Sequence, residues 1–219
     1  MSVEGTTRRV GRPASSEGIR KVAILEMALS AFATSGFEGT TMLSIAKGAG
    51  VKDSLLHYHF GSKENLWQEA VAMATGHYIK DAKKTERYFK DLELESLTKA
   101  LIRQMVYSSA EYIDLYKIIY HEMMHKSTRT QFLIDHVIAP YAERHRRLFQ
   151  RYAEEKGVTI NWLVGRFVTV SYGLYATYFI LAPAVEQIDG VEVFSEDQIE
   201  RHADVVTDLI YQAVFAAST

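Results

Sequence analysis

The sequence predicts an all-α fold. Apolar residues recur every three or four positions along most of the 219 residues, which is the spacing of one face of a helix. The chain has only three prolines, and the one alternating segment, 191–194, is too short for a sheet. A hydrophobic fraction of 47% is ample for a packed core.

Two domains are predicted behind a short arm. Residues 1–15 are polar and rich in Gly, Ser, Thr and Arg, so we expect a flexible basic arm. Helical spacing begins near Ser16, and residues 16–62 are predicted to form a three-helix, helix-turn-helix domain. Residues 63–219 are predicted to form a larger helical domain for ligand binding and dimerisation.

Start and stop signals place the first four helices. Gly36 is suited to end the first helix, because glycine adopts positive φ at little cost. Thr41 is the predicted N-cap of a short second helix, which Gly50 stops. A third helix is predicted over Asp53–Phe60, and a fourth runs from Ser62 to about Lys83.

The helical pattern continues through the larger domain. Ser195 is the predicted N-cap of the last helix, and Pro183 to Phe194 is predicted to be a long loop. No internal repeat is present. The predicted helices are Leu94–Ser109, Tyr112–His125, Thr128–Glu155, Asn161–Leu181 and Glu196–Ala217.

Charge is distributed unevenly along the chain. The net charge is −2, but residues 1–63 carry eight Lys or Arg against five Asp or Glu, which leaves +3 there and −5 in the remainder. A basic head on an acidic body favours contact with a polyanion. A basic segment that only improves solubility is the alternative.

Several classes of protein and site are excluded or disfavoured by composition. The absence of cysteine excludes disulfides, thiolate metal sites and a cysteine nucleophile. No run of about 18 apolar residues is present, and no apolar stretch follows the N-terminal arginines. We therefore expect no membrane span, no signal peptide and a cytoplasmic location.

Residues 42–60 have the pattern of a helix-turn-helix. Ala46 is small enough for two crossing helices to approach, and Gly50 can adopt positive φ at the turn. Ile45, Val51 and Leu56 would then face inward. An ordinary αα-hairpin also has glycine at its turn and stays the alternative on these residues alone. The outward side chains that could enter a major groove are Lys52, Asp53, Ser54, His57 and Tyr58.

The flanking residues resemble the tetracycline-repressor (TetR) family over about residues 17–70. The resemblance implies three DNA-binding helices, an effector-binding and dimerisation domain, and a four-helix bundle made by the last two helices and their partners. It implies a homodimer that represses from a pseudo-palindromic, double-stranded DNA operator until a small molecule releases it, with no enzymatic activity and no cofactor. The segments that carry it are Gly36-Phe37-Glu38-Gly39-Thr40-Thr41, Ile45-Ala46, Ala49-Gly50-Val51 and Phe60-Gly61-Ser62-Lys63-Glu64-Asn65-Leu66.

The resemblance also implies phosphate contacts. Thr40, Thr41 and Lys63 match positions at which the family grips phosphates, and free N–H groups at a helix N-terminus favour such contacts. Plain N-capping by Thr41 is compatible with this role. The chain departs from the family at His57, where tyrosine is usual, so an imidazole replaces the phenol that would contact a phosphate.

The arm contains a second resemblance. Arg8, Arg9 and Arg12 belong to a segment similar to the Arg-Gly-Arg-Pro element that precedes this domain in some relatives. Such a segment can lie in a narrow, A·T-rich minor groove, where the negative potential attracts arginine. A disordered tail explains these residues equally well.

His121-Glu122-Met123-Met124-His125 spells the H-E-x-x-H zinc motif. On one helix this spacing places both imidazoles on the same face, with the carboxylate as general base. A zinc-dependent hydrolase is therefore the alternative function, and a metal-sensing regulator using His121 and His125 is another. Only three positions of the motif are fixed, and residues 127–131 lack the metzincin continuation, so ordinary pocket or interface residues are the simpler interpretation.

Aromatic and methionine side chains are dense in the middle of the larger domain. A pocket for a small apolar or aromatic ligand would have this composition, with tyrosine hydroxyls fixing the ligand's orientation, and so would an ordinary helical core. The residues predicted to bind the ligand are Tyr107, Tyr116, Tyr120, His121, Met124, Tyr172, Tyr175 and Phe179.

The last two helices carry aliphatic stripes that predict a homodimer. These stripes exceed what one small core needs. The fourth helix is the predicted transmitter between ligand and head, because it alone joins the two domains. The stripe residues are Phe167, Val170 and Leu174 in one helix, and Val205, Leu209 and Ala213 in the other.

Overall fold

The computed structural model describes residues 16–157 and 164–212, and every regular element in this part of the chain is helical. The predicted all-α class is therefore confirmed. The arm arginines Arg8, Arg9 and Arg12 lie outside the described residues. The helices are α1 (Ser16–Gly39), α2 (Met42–Gly48), α3 (Asp53–Phe60), α4 (Lys63–Tyr88), α5 (Leu94–Glu111), α6 (Ile113–Met123), α7 (Thr128–Leu133), α8 (Ala139–Lys156), α9 (Val164–Ile180), α10 (Ala182–Asp189) and α11 (Glu196–Tyr211).

Local signals in the sequence set the ends of the first helices. Gly36 breaks α1 with φ 66° and ψ 174°, and the last residues of α1 follow the break. Thr41 caps α2, its hydroxyl accepting the Ser44 N–H at 3.0 Å. Gly50 has φ 66° in the turn between α2 and α3. Ser62 caps α4 through the N–H of Asn65 at 3.1 Å, and α4 continues to Tyr88, beyond the predicted end.

The predicted helix over 128–155 is wrong at one turn only: residues 128–156 are helical throughout, but 134–138 form a π-helical turn. A proline inside an α-helix lacks the N–H donor and clashes with the carbonyl of the fourth preceding residue. The chain accommodates Pro140 by a π-helical turn over Ile134–Ile138, in which the Ala139 N–H donates to the carbonyl of Ile134, five residues back. This turn separates α7 from α8.

The predicted long loop over 183–194 is also wrong, because its first part is α10. Pro183 lies in the first turn of α10, where a helix needs no N–H donor and where the fixed φ of proline is already helical. Gly190, with φ 68°, ends the helix. Val193 in the following segment is buried.

The buried apolar residues form one continuous cluster that extends from Ile24 in α1 to Ile210 in α11. Both α4 and α6 pack against α1, so α4 is not the only element that joins the N-terminal helices to the rest. In the larger part, α5 packs against α9 and α11. No described helix is both long and apolar enough to cross a bilayer. The domain limits 16–62 and 63–219 stay a prediction.

Candidate nucleic-acid interface and cavity

The helix-turn-helix is supported from inside by a small apolar core. Ile45 and Ala46 of α2 and Leu56 and Phe60 of α3 are all buried. The Val51 N–H donates to the Ala46 carbonyl at 2.9 Å, which closes the turn. With one face of each helix committed to this core, the opposite face of α3 is left to solvent.

The outer face of α3 is polar and accessible. Lys52, Ser54 and His57 are exposed, and Tyr58 is 81% exposed. Arg20 of α1 lies beside them, lining the same shallow depression as Lys52, Ser54 and Tyr58. Sequence reasoning missed Arg20, because helical spacing along α1 does not tell which of its faces borders α3.

His57 and Asp53 lie one helical turn apart on α3. The His57 Nε2 is 3.5 Å from an Asp53 carboxylate oxygen, and its Nδ1 is 3.4 Å from the Gly61 carbonyl. Asp53 also lies in the first turn of α3, where the helix dipole stabilises a negative charge. Its carboxylate would repel a phosphate, so its position favours orienting His57 over direct contact with DNA.

Thr41 and Thr40 have different environments despite being neighbours. Thr41 is exposed and forms a capping box with Ser44, whose hydroxyl accepts the Thr41 N–H at 3.1 Å. Thr40 is 2% exposed, and its hydroxyl donates to the carbonyls of Gly36 at 2.8 Å and Ala31 at 3.1 Å. The buried hydroxyl is bonded to the end of α1, which disfavours the predicted phosphate contact of the Thr40 side chain.

The Lys63 side chain is also bonded to the end of α1. Its Nζ donates to the carbonyls of Phe37 at 2.9 Å and Thr40 at 3.0 Å. The same ammonium group lies 4.1 Å from the centre of the Phe37 ring. These contacts disfavour the predicted phosphate contact, because the ammonium group is already bonded to two carbonyls at the end of α1, of which that of Phe37 also accepts the Thr40 N–H at 3.3 Å.

This geometry coincides with a known family of regulators. A family model described as bacterial regulatory proteins of the tetR family matches residues 24–70, which contain the α1 core face, α2, α3 and the start of α4. Residues 24–70 of the chain thus form a DNA-binding segment of the TetR family. Because TetR-family proteins are transcriptional regulators rather than enzymes, the family assignment disfavours the hydrolase alternative.

The chain is similar to two curated regulators over part of their length. IcaR of Staphylococcus aureus, a negative transcriptional regulator of the biofilm operon icaADBC, is 37% identical over 51 residues, which cover 23% of this chain and 27% of IcaR. RutR of Escherichia coli, an HTH-type transcriptional regulator, is 29% identical over 121 residues, covering 55% of this chain and 56% of RutR. The chain thus spans about a quarter and about half of these relatives.

A solved structure shares the whole fold. The fatty acid degradation regulator FadR from Bacillus halodurans superposes with a TM-score of 0.65 at 16% sequence identity. The superposition covers 88% of this chain and 97% of FadR. This likeness shows the fold.

The H-E-x-x-H sequence does not form a zinc motif in this structure. α6 ends at Met123, so His125 lies in the turn beyond it, off the helix face that carries His121. Glu122 is buried and accepts from Arg129 Nε at 3.1 Å and from the Ser127 hydroxyl at 3.2 Å. Within the described residues, no group of three or more His, Asp or Glu could hold a metal ion. The geometry of these residues therefore supports neither the hydrolase alternative nor the metal-sensing alternative.

Arg129, at the start of α7, links α4 and α6 to the end of α1. Its guanidinium lies 3.7 Å from the centre of the Phe37 ring. It pairs with Glu122 of α6 at 3.1 Å, with Glu64 of α4 at 3.2 Å and with Glu38 of α1 at 3.5 Å. The Arg129 guanidinium thus pairs with carboxylates from three helices, at the place where α6 packs against α1.

A cavity of about 580 Å³ lies in the larger part, between α4, α5, α6, α8 and α9. Its volume falls within the usual range of small-molecule sites. Tyr116 and Tyr172 line it as predicted. The lining that sequence reasoning missed consists of Thr75, Tyr78, Ile79, Lys83, Glu86, Lys90, Leu97, Leu101, Leu115, Ile119, Val137, Pro140, Tyr141, Arg144, Arg147 and Arg151.

Six predicted ligand residues lie outside the lining of this cavity. On α6, the Tyr120 hydroxyl bonds to that of Thr177 at 2.8 Å, and His121 lies beside the head, its Nδ1 3.9 Å from where a Cβ on Gly36 would be. Met124 is 74% exposed. The remaining three are Tyr107 beside Arg103, Tyr175 in the contact of α9 with α5, and Phe179 packed on Phe194 and His202.

Tyrosines form the polar part of the cavity wall. The rings of Tyr116 and Tyr172 are 5.3 Å apart, and those of Tyr141 and Tyr172 are 5.5 Å apart. Burial raises the pKa of Tyr116 and Tyr141 well above the ordinary value. Both hydroxyls therefore stay protonated. That of Tyr141 donates to the Met105 sulfur at 3.6 Å, and that of Tyr116 can donate to an oxygen of a bound molecule.

Proposed function

We propose that this chain is a homodimeric repressor that binds double-stranded DNA and is released by a small molecule. The observation that carries the proposal is the exposed polar face of α3, with Lys52, Ser54, His57 and Tyr58 standing on a buried scaffold. A helix presented in this way fits a major groove, where side chains at its N-terminal end reach base edges. Arg20, Thr41 and the arm arginines would add phosphate and minor-groove contacts.

Repression is proposed from the relatives. IcaR is described as a negative regulator, and its similarity covers the helix-turn-helix region. A bound protein that blocks transcription needs no surface for recruiting other factors. The loss of DNA affinity on binding an effector is then sufficient for control.

Dimerisation is proposed from apolar side chains on the outer surface of α9 and α11. Val205 and Leu209, four residues apart on α11, are 56% and 51% exposed, while Val206 and Ile210 on the other face are buried. Val170 of α9 is also exposed. Such a stripe in addition to a full core favours a partner. The stripe residues Phe167 and Ala213 lie outside the side chains that the structure describes.

Release by an effector is proposed to act through two helices. Both α4 and α6 line the cavity and pack against α1. An effector that prefers one spacing of the two recognition helices shifts the population toward it, and the coupling is typically about 1–3 kcal/mol.

The test is selection of bound DNA from a random pool with the purified full chain. We expect enriched sites with dyad symmetry and half-sites about 34–36 Å apart, or a multiple of that spacing. Tyr58→Ala is expected to change the preferred bases, and Tyr58→Phe separates the role of the hydroxyl from that of the ring. Enriched sites without dyad symmetry, or no enrichment, would contradict the proposal.

A further inference from the structure

We propose that the cavity of the larger part takes an amphipathic anion, a molecule with an apolar body and one acidic head group. This names the class of the effector and so rests on the proposed function. The argument depends on where the cavity places apolar, hydroxyl and charged side chains.

The inner wall of the cavity is aliphatic. It is formed by Ile79 of α4, Leu97 and Leu101 of α5, and Leu115 and Ile119 of α6. These side chains offer no hydrogen bond, so a polar body would lose its bonds to water on entering. An apolar body of the bound molecule is therefore favoured there.

Hydroxyl groups are the polar atoms that the tyrosines add to this wall. The hydroxyls of Tyr78, Tyr116 and Tyr172 make no hydrogen bond to another residue in the described part of the chain. Burial raises the pKa of Tyr78 above its ordinary range, as it does for Tyr116, so both remain donors. Protonated hydroxyls aimed at a cavity can donate to an oxygen of a bound molecule, and they carry no negative charge to pair with a cation.

The remaining charged lining residues carry an excess of positive charge. Lys83 and Lys90 come from α4 and the segment that follows it. On α8 the basic residues follow helical spacing, so they share one face. Among the lining residues that the structure describes, Glu86 is the only carboxylate. The α8 residues are Arg144, Arg147 and Arg151.

Neighbouring carboxylates compensate only the arginines. Arg144 pairs with Glu86 at 2.8 Å, Arg147 with Glu143 at 3.0 Å and Arg151 with Glu155 at 3.1 Å. Lys83 and Lys90 make no ion pair with any residue that the structure describes. Glu143 also pairs with Arg146 at 2.7 Å, so it compensates Arg147 only in part. The five lining cations therefore exceed the three carboxylates by at least two positive charges, and the two lysines are the cations without an ion pair.

This arrangement selects by charge as well as by hydrophobicity. An acidic head beside Lys83 and Lys90 gains charge-assisted contacts while the apolar body fills the aliphatic end. A cationic head of the same size would meet like charges. A neutral head would gain hydrogen bonds alone.

The experiment uses three probes with the same ten-carbon chain: decanoate, decanol and decyltrimethylammonium. Binding to the full chain is measured by titration calorimetry, below the concentration at which the probes aggregate. We expect the Kd of decanoate to be at least roughly tenfold lower than that of decanol, and decyltrimethylammonium to bind weakest. Decanoate binding no tighter than decanol, or no binding of any probe, would overturn the proposal.

Two charge-matched double variants locate the head group. Lys83→Gln with Lys90→Gln removes the two unpaired lysines of the lining. Lys80→Gln with Lys84→Gln removes two exposed lysines of α4 that do not line the cavity. We expect the first pair to abolish the preference for decanoate and the second to retain it. An equal effect of the two pairs would mean that only overall charge matters, and the site would be wrong.

Failure of this proposal is distinguishable from failure of the proposed function. If the chain selects a dyad-symmetric operator but prefers decanol, the ligand class is wrong and the regulator stands. If it prefers decanoate through Lys83 and Lys90 but selects no DNA, the cavity assignment stands and the regulator is wrong.

Discussion

Lys63 is predicted to stabilise the head rather than to grip DNA. Its Nζ bonds to the carbonyls of Phe37 and Thr40, and charge-assisted bonds of this kind are worth more than neutral ones. Lys63→Ala is expected to lower the free energy of unfolding by about 1–3 kcal/mol. The slope of log K against log salt for operator binding should stay unchanged, because no phosphate contact is lost.

Lys47→Ala is the matched control. Lys47 is an exposed lysine of α2, near the same surface, and its removal should leave the free energy of unfolding within about 0.5 kcal/mol of the wild type. Chemical denaturation and binding titrations at several salt concentrations measure both quantities. A Lys63→Ala protein of normal stability, with a salt slope lowered by about 1, would contradict this prediction and support a phosphate contact of Lys63.

His145 gives the molecule a pH-dependent stability. It is buried on α8, its Nδ1 lies 2.7 Å from the Tyr141 carbonyl, and burial lowers its pKa from 6.5 to about 4. Because the unfolded chain binds the proton more readily, the free energy of unfolding should fall as the pH drops from about 6.5 to about 4, by roughly 3 kcal/mol. Below that range this contribution is constant.

His145→Gln separates this step from the background titration of carboxylates. Glutamine cannot take up a proton, so the variant should lose less stability than the wild type between pH 7 and pH 4.5. Urea unfolding at four pH values in this interval measures the difference. Parallel pH profiles for the two proteins would show that His145 does not titrate on unfolding.

At the scale of the element, two glycines should respond oppositely to the same substitution. Gly50 has φ 66° in the turn between α2 and α3, and a Cβ there would meet no atom within 4 Å, so only backbone strain opposes it. Gly50→Ala should lower the free energy of unfolding by about 1–2 kcal/mol. Gly76 lies within α4, also with no atom within 4 Å, and Gly76→Ala should raise it by about 0.5–1 kcal/mol.

Thermal or denaturant unfolding of the two variants checks the pair. If both substitutions raised the free energy of unfolding, the turn would tolerate an L-residue and the helix-turn-helix would not depend on Gly50. Operator binding should weaken for Gly50→Ala alone, because only that change moves α3 relative to α2.

The same elements show what sequence can and cannot predict. Gly36, Thr41 and Gly50 were predictable because a helix end is decided by the conformation and hydrogen bonds of a few neighbouring residues. The lining of the cavity was not, since helical spacing tells which residues share a face but not which neighbour covers it. Within two turns of α6, Tyr116 faces the cavity and Tyr120 bonds to α9.

The N-terminal helices show the same limit of prediction from sequence. The order and spacing of residues 36–66 predict a resemblance that the family model over residues 24–70 confirms, and the exposed face of α3 agrees with the predicted one. The same resemblance predicts phosphate contacts for Thr40 and Lys63. Their actual partners are main-chain carbonyls of α1 and of the segment after it, which no side-chain pattern encodes.

At the scale of the whole molecule, the stripe on α11 is predicted to hold the dimer. Val205→Asp with Leu209→Asp places two charges in a surface that would be desolvated on association. Light scattering at micromolar concentration should show a dimer for the wild type and a monomer for this variant, with weakened operator binding. Leu92→Asp is the control, since Leu92 is equally apolar and exposed but lies between α4 and α5. A monomeric wild type would remove the basis of the dimer.

Arg129 is predicted to carry the coupling between cavity and DNA. It joins Glu122 at the head end of α6, the helix whose Tyr116 and Ile119 line the cavity, to Glu64 at the start of α4. Arg129→Gln alone leaves Glu122 buried and unpaired, which should cost on the order of 3 kcal/mol. Glu122→Gln with Arg129→Gln removes both charges, so the double variant should recover much of the stability while lacking the ionic connection.

The measured quantity is the factor by which decanoate weakens operator binding. Linkage requires that operator DNA weaken decanoate binding by the same factor, so both directions are titrated. In the Glu122→Gln, Arg129→Gln protein we expect this factor to approach one, with each affinity alone within a few-fold of the wild type. Arg103→Gln is the matched control, because Arg103 also joins two helices through two carboxylates, Glu200 and Asp204, but far from the head. If the control loses the coupling and the double variant keeps it, the signal travels through α5 and α11 and reaches the DNA by changing the dimer instead.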